Sequence, residues 1–508
     1  MLIETIDGSI VCDPWFLPQF LGSWFVFPRN DRLAPELLER VCSPDFLFIS
    51  HIHADHLDEG WLGANMDKDT TVLLPDFPTG ELERTLRGLG FHRFLRTTDR
   101  QELALGASLT VAIHTETSIT DGPGGDSALV VSDGTARIVN QNDCRTNDLD
   151  ALRQHGPVDL HWLQYSGAIW YPMVYEESPE SMRDLIAAKV DSQTTRALRY
   201  VEAVGARAVV PSAGPPCFLD PDLFDLNLIS GDELTIFTDQ PRFIDAVAEG
   251  GHVGLLAVPG TAITVTNGTM MIEHPMEQDE LDRIFSDKAS YLREYQNDWS
   301  TWLEQHRASW SAPTPELFDT LRTWWEPLMR MAPTVCDAIG ASCLLRLGDL
   351  DIILDFPAAE VRIWSDEPFR FRFDIQRELV ETVVARKAHD WSNALFLSCR
   401  FSAWREGPFN EYIYNFFKSL STERMTRTEA EALRKRSPDR GGLADEVIVI
   451  DGYEMQRTCP HRGADLAVFG EVSGDELVCT LHGWRFDLAT GTCRNADDRA
   501  LRIRQLEA

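Results

Sequence analysis

The sequence predicts an α/β protein of several domains: an α/β domain over residues 1–270, an α+β middle region over 271–420, and a small all-β module over 445–508. Three observations carry this expectation. At 508 residues the chain is too long for one ordinary core, and length suggests about three domains. Short β-like runs alternate with amphipathic stretches through the first half. A charged stretch ending in Pro and Gly, residues 421–444, reads as a linker before the last module.

The elements follow in order. MLIETIDGSIVCDPWF reads as a strand pair from the start. FLFIS (46–50), TVLLP (71–75), LTVAI (109–113), ALVV (128–131), ARIVN (136–140) and ARAVVP (206–211) are β-like runs between turn signals. APELLERV and TTRALRYVEAV are amphipathic helices between them. From Glu277 the spacing places Leu281, Ile284, Phe285, Leu292, Tyr295, Trp299 and Trp302 near one helical face. A further helix is expected to start with Thr314 as N-cap and Pro315 in its first turn. Strand-like CLLRL, LDIILDF and VRIW come next, then helical patterns through NEYIYNFFKSL. EVIVIDGYEMQRT opens the β-rich module.

Composition is that of a soluble globular protein, 44% hydrophobic and 25% charged. The 47 basic and 80 acidic residues give a net charge of -33, which repels phosphate backbones and anionic membranes. Nucleic acid and membrane are therefore not expected as partners, while one local basic pocket for an anionic small substrate stays open. No run of 18 apolar residues suggests a membrane span, and the N-terminus lacks the basic region of a signal peptide. Ten scattered cysteines fit reduced thiols in a cytoplasm, so the expected location is cytoplasmic.

Two motifs carry chemistry. The first is Cys459-x-His461 and Cys479-x-x-His482, two mixed ligand pairs on separated loops. Two thiolates can hold one iron of a [2Fe-2S] cluster while two imidazoles hold the other. A Cys2His2 zinc site is the competing reading, although zinc fingers usually place both Cys in one pair and both His in the other. The match through C-P-H-R-G (459–463) and C-x-x-H-G-W-x-F (479–486) resembles the Rieske family, in its ferredoxin and oxygenase branch. Ala464 and Leu481 stand where the respiratory branch carries two further cysteines, so the resemblance implies no disulfide there. It also implies a potential in the lower part of the Rieske range and a role as intramolecular electron donor. Cys493 reads as a buried free thiol.

The second motif is FLFISHIHADHLDEG, which sets His51, His53, Asp55 and His56 directly after a strand. Three of the chain's 13 histidines fall within these six residues, a density that no solvated loop needs. The motif resembles the metallo-β-lactamase superfamily, which implies an αββα sandwich with metals at its edge. By that resemblance His51 and His53 serve a first metal, Asp55 and His56 a second, His114 adds a ligand, and Asp143 bridges. The superfamily's last ligand position falls near Asp220, whose oxygen donor would favour iron or manganese over zinc. The bland readings are a loop His114, a turn Asp143 and a loop Asp220 beside Pro221; His161 and His274 are further candidates.

A hydrolase of that superfamily needs Lewis-acid metals but no electrons. No D-x-x-H-x-x-x-x-H-like stretch supplies the usual acceptor iron of a Rieske oxygenase. The His51–His56 loop is thus the economical electron acceptor. A further resemblance, to the CMP-N-acetylneuraminic acid hydroxylase family, lies in C-D-P-W-F-L (12–17), F-L-G-S-W (20–24), I-S-H-I-H-A-D-H-L (49–57), N-D-C (142–144), S-G-A (166–168) and P-S-A-G (211–214). A weaker echo runs through 394–417; that family carries its Rieske domain at the N-terminus rather than the C-terminus.

The resemblances imply an iron-dependent monooxygenase (hydroxylase) in which a Rieske [2Fe-2S] cluster feeds one or two non-haem irons, with zinc or manganese as alternative metals. Asp55 and Asp143 would be the catalytic carboxylates. The substrate would be a small or biosynthetic-pathway molecule, a nucleotide sugar among them. Electrons would come from an external ferredoxin or NAD(P)H-dependent reductase, because no G-x-G-x-x-G or flavin motif is present. A homo-oligomer with exchange between protomers stays open. A zinc-dependent hydrolase with a redox-sensing Rieske module is the alternative, and a non-catalytic electron carrier the third reading. Trp15, Phe16, Trp24 and Phe25 suit either core or pocket, and Arg145 and Tyr165 are candidates for substrate contact.

Overall fold

The structure, a computed structural model, describes residues 1–118, 124–227, 235–436, 446–461, 463–496 and 499–506. Period-two alternation builds its first half. The first sheet runs β1 (Leu2–Thr5), β2 (Gly8–Cys12), β3 (Phe46–Phe48), β4 (Thr71–Leu74) and β5 (Phe94–Arg96), in that order. The second holds β6 (Leu103–Ala104), β7 (Thr110–Glu116), β8 (Asp126–Ser132), β9 (Arg137–Asn142), β10 (Leu160–Gln164) and β11 (Ala208–Ser212). Ile10, Cys12, Phe48 and Leu73 of one sheet bury against Val111, Ile113, Leu129 and Val131 of the other. Their neighbours Val11, Leu47 and Val72 point outward, into the core shared with α1 (Pro35–Cys42), α2 (Glu59–Asn65) and α3 (Glu81–Gly88). Ala112, Val130 and Val139 do the same toward α4 (Leu149–Arg153), α5 (Pro179–Val204) and α6 (Gln240–Glu249). Helix, sheet, sheet and helix are stacked: the αββα sandwich.

A hairpin of β12 (Ala262–Thr266) and β13 (Thr269–Glu273) straddles the expected boundary at 270, pairing Ala262 with Glu273. The long helical face after Glu277 is two helices, α7 (Gln278–Ser286) and α8 (Lys288–Ala308), interrupted at Asp287. The next helix, α9 (Leu317–Met331), starts later than expected. Thr314 is not its N-cap: its N–H and hydroxyl both donate to the Glu381 carboxylate, at 2.7 and 2.9 Å. After α10 (Pro333–Ile339) come β14 (Ser342–Arg346), β15 (Asp351–Asp355), β16 (Glu360–Ile363), β17 (Phe371–Ile375), α11 (Arg377–Ala385), α12 (Trp391–Ala394) and β18 (Phe401–Arg405). The five strands form one sheet in the order β16-β15-β14-β17-β18, backed by an aromatic core around Trp325, Trp391, Phe396 and Phe417. Helix α13 (Glu411–Phe417) closes this region.

The expected linker is a correction. Its first part forms helix α14 (Thr422–Arg436), which buries Met425 and Ala432, seven residues apart and so on one face. The buried Arg424 pairs with Glu81 and Asp390 at 2.6 and 2.9 Å, tying this helix to both preceding regions. Residues 437–444 of the expected linker lie outside the described residues.

The C-terminal module has two three-stranded sheets. One holds β19 (Val447–Ile450), β20 (Tyr453–Gln456) and β24 (Ile503–Gln505); the other holds β21 (Gly470–Ser473), β22 (Glu476–Cys479) and β23 (Trp484–Asp487), with α15 (Leu466–Phe469) before it. The module does not hang free. Its core residues Leu466, Phe469, Leu481 and Phe486 share one apolar cluster with Ala197, Tyr200 and Val201 of α5. Among the described residues no helix is long and apolar enough to cross a membrane.

Candidate metal centre and iron–sulfur site

Beyond strand β3 the chain stays buried through Ile49, in the core shared with α1–α3, and Ser50. Ser50 fixes the loop that follows, because its N–H and hydroxyl both donate to the Asp13 carboxylate at 2.7 Å. At the far end Asp58 caps α2 and accepts the Phe16 and Leu17 N–H groups. Between these anchors lie His51, His53, Asp55 and His56.

Ligand atoms of His51, His56 and Asp143 lie within 4.8 Å of one another. His56 Nε2 is 3.7 Å from both Asp55 Oδ2 and Asp143 Oδ1, and His51 Nε2 is 2.9 Å from His53 Nδ1. Two carboxylates outside this group orient the rings. Asp13 Oδ2 lies 3.0 Å from His56 Nδ1, and Asp126 Oδ1 lies 3.4 Å from His51 Nδ1. Each leaves the ring's Nε2 facing the group, the arrangement that fixes a tautomer for metal binding.

Electrostatics mark the same place. Burial, then the neighbouring His56 and His53, push His51 well below the ordinary histidine value, and burial takes His53 down to about 4. Burial raises Asp55 to about 6 and also raises Asp143. His56 is disfavoured as a cation by burial, but Asp55, Asp143 and Asp13 outweigh that and hold it well above its ordinary value. Asp143 Oδ1 is buried without a hydrogen-bond partner. A carboxylate oxygen left without a hydrogen bond among three imidazoles fits a cation.

Two expected ligands stand elsewhere, and both are corrections. His114 lies on β7 with its Nε2 2.7 Å from His155 Nε2, a separate buried pair. Asp220 is fully buried, and its oxygens are taken by Arg307 and by Arg400 Nη2 at 2.6 Å. His161 bonds Gln141 and His274 bonds Thr261, so neither joins the group. A crevice of about 880 Å³ reaches Asp55 and His56 past Asp13, Trp15 and Asn142. Trp24 and Phe25 are core residues, Phe16 stacks on Trp61, and Tyr165 is buried against Phe243.

The second site lies on two turns. Gly463 and Gly483 follow the two ligand pairs at φ of 72°, a region that favours glycine. Cys479 is held below its ordinary value first by a hydrogen bond from Cys459, which places the two sulfurs together. The rings of His461 and His482 stand 5.1 Å apart, with the Nδ1 atom of each shut away from solvent. Two adjacent thiols and two imidazole nitrogens are the donor set of a Rieske cluster. None of the ten cysteines is in a disulfide; Ala464 and Leu481 are buried where one would otherwise sit, and Cys493 is half-buried. Glu411 of α13, 3.3 Å from His461 Nε2, was not legible as a site residue.

Sequence comparison sets these two sites among relatives. The Rieske [2Fe-2S] domain family matches residues 443–505, and the Rv3818-like, SCP2-like domain family matches 317–434. The Rieske 2Fe-2S iron-sulfur protein Rv3818 of Mycobacterium tuberculosis (strain ATCC 25618 / H37Rv) is 44% identical over 513 residues, covering 99% of this chain and 97% of its own. The cytidine monophosphate-N-acetylneuraminic acid hydroxylase of Mus musculus is 36% identical over 89 residues, 16% of this chain and 14% of its own. The solved structure of Igni18, a metallo hydrolase from Ignicoccus hospitalis KIN4/I, covers 54% of this chain and 94% of its own, at a TM-score of 0.35 and 15% identity. The chain belongs to the family of Rv3818-like Rieske [2Fe-2S] iron–sulfur proteins.

Proposed function

We propose that the protein is an iron-dependent monooxygenase whose Rieske cluster feeds a non-haem iron centre in the αββα sandwich. The observation that supports this is the presence, in one chain, of a His/Asp cation cradle and a Rieske donor set, with helix α5 reaching the loops of both. When bound, iron at His51, His53, Asp55, His56 and Asp143 supplies reductive O2 activation, and the cluster at Cys459, His461, Cys479 and His482 supplies single electrons. In the overall reaction a substrate C–H becomes C–OH and the second oxygen leaves as water, with two electrons from an external ferredoxin or reductase and two protons from solvent. Asp13 and Asp126 hold His56 and His51 in the ligating tautomer.

Metal analysis of anaerobically purified protein tests this reading. Iron beyond the two cluster irons is expected, lost in the His51→Ala/His56→Ala double variant while the cluster spectrum persists. Zinc alone in that centre would point instead to the hydrolase.

A further inference from the structure

Helix α5 touches both the metal loop and the cluster loop, and it carries Lys189, Gln193, Arg196 and Tyr200 along one stripe. Tyr200 donates its hydroxyl to the Thr146 carbonyl at 2.8 Å, which seats the stripe on the loop of Asp143. Arg196 Nη1 lies 3.5 Å from the Leu481 carbonyl, beside Cys479 and His482. From the metal loop Arg145 donates to Gln164 Oε1 at 3.2 Å. Among the described residues neither Arg145 nor Lys189 forms an ion pair, in a chain whose net charge is -33. The Gln164 Nε2 donor is buried without a partner, on a residue 5% exposed.

The charges act on one another and on the metal group. Burial, then Arg145 and Arg196, takes Lys189 down to about 7, and Arg145 and Arg196 both act on Asp143. Half-buried cations without an ion-pair partner, beside a stranded amide donor, are costly unless an anion completes them.

We propose that Arg145 and Lys189, with the Nε2 donor of Gln164, bind an oxyanion of the substrate, a carboxylate or a phosphate, beside the His51–His56–Asp143 group. Its part in catalysis rests on the oxygenase reading, whereas the binding rests on the Arg145–Gln164 contact, the stranded Gln164 donor and the stripe of α5.

The test is calorimetric titration of the anaerobic full-length holoprotein with inorganic phosphate and, separately, acetate. Wild type should take up at least one of them saturably. Lys189→Met and Arg145→Met should each weaken that uptake about tenfold, and Lys189→Arg should stay within about threefold. Unchanged cluster absorbance and melting confirm that the variants are folded. No saturable uptake of either anion by wild type, or equal affinity in both Met variants, overturns the proposal. Heat is read whichever metal is present, so a zinc-filled centre would refute the oxygenase reading and leave this site standing.

Discussion

Replacing Asp220 by Ala separates a structural carboxylate from a metal ligand. Asp220 is fully buried, and its partner Arg400 has a side chain only 7% exposed. Removing one member of a buried pair costs about 3–5 kcal/mol, because the other is left charged and unpaired. Arg307 is 36% exposed, so its share is screened and adds at most about 1 kcal/mol. A loss of about 4 kcal/mol is therefore expected in urea unfolding followed by tryptophan fluorescence, with metal content per folded chain unchanged. Adding Arg400→Met should restore part of it. Burial raises the Asp220 carboxyl, but the Arg307 hydrogen bond and the Arg400 charge outweigh this and hold it below the ordinary value. Its stabilisation is thus complete above the unfolded pKa of about 3.9 and fades as pH falls through the lower folded value. A variant that keeps wild-type stability but loses metal would refute the reasoning.

Three further outcomes follow from the same contacts. Asp13→Ala should weaken metal binding about 10–100-fold, measured by competition with a chelator, since His56 loses its orienting carboxylate. Glu411→Gln should raise the cluster midpoint potential by on the order of 50 mV in a redox titration, because a negative charge beside His461 is removed. Arg424→Met should destabilise the protein by about 3 kcal/mol in the same urea assay, as Glu81 and Asp390 lose their buried partner.

What the sequence made legible was local. His51, His53, Asp55 and His56 sit within six residues after a strand, and the Cys-His pairs lie on short turns, so spacing alone exposes them. Asp13, Asp126 and Glu411 reach the sites from distant elements; Asp13 lies in C-D-P-W-F-L and Glu411 in the echo over 394–417, but no ligand spacing marks any of the three. His114 and Asp220 were placed by analogy of position, but His155 and the arginines that claim them are far away in sequence. Helix α14 was hidden by its charges: its two buried apolar positions are outnumbered by residues such as Arg424, whose partners lie in other elements.

In the proposed reaction electrons pass from the cluster to the His51–His56–Asp143 centre. Stopped-flow absorbance of the chemically reduced cluster, mixed with O2, measures this most directly. Reoxidation of the iron-loaded protein should be at least about tenfold faster than in the His51→Ala/His56→Ala variant, whose cluster is intact. Equal rates in the two proteins would contradict it.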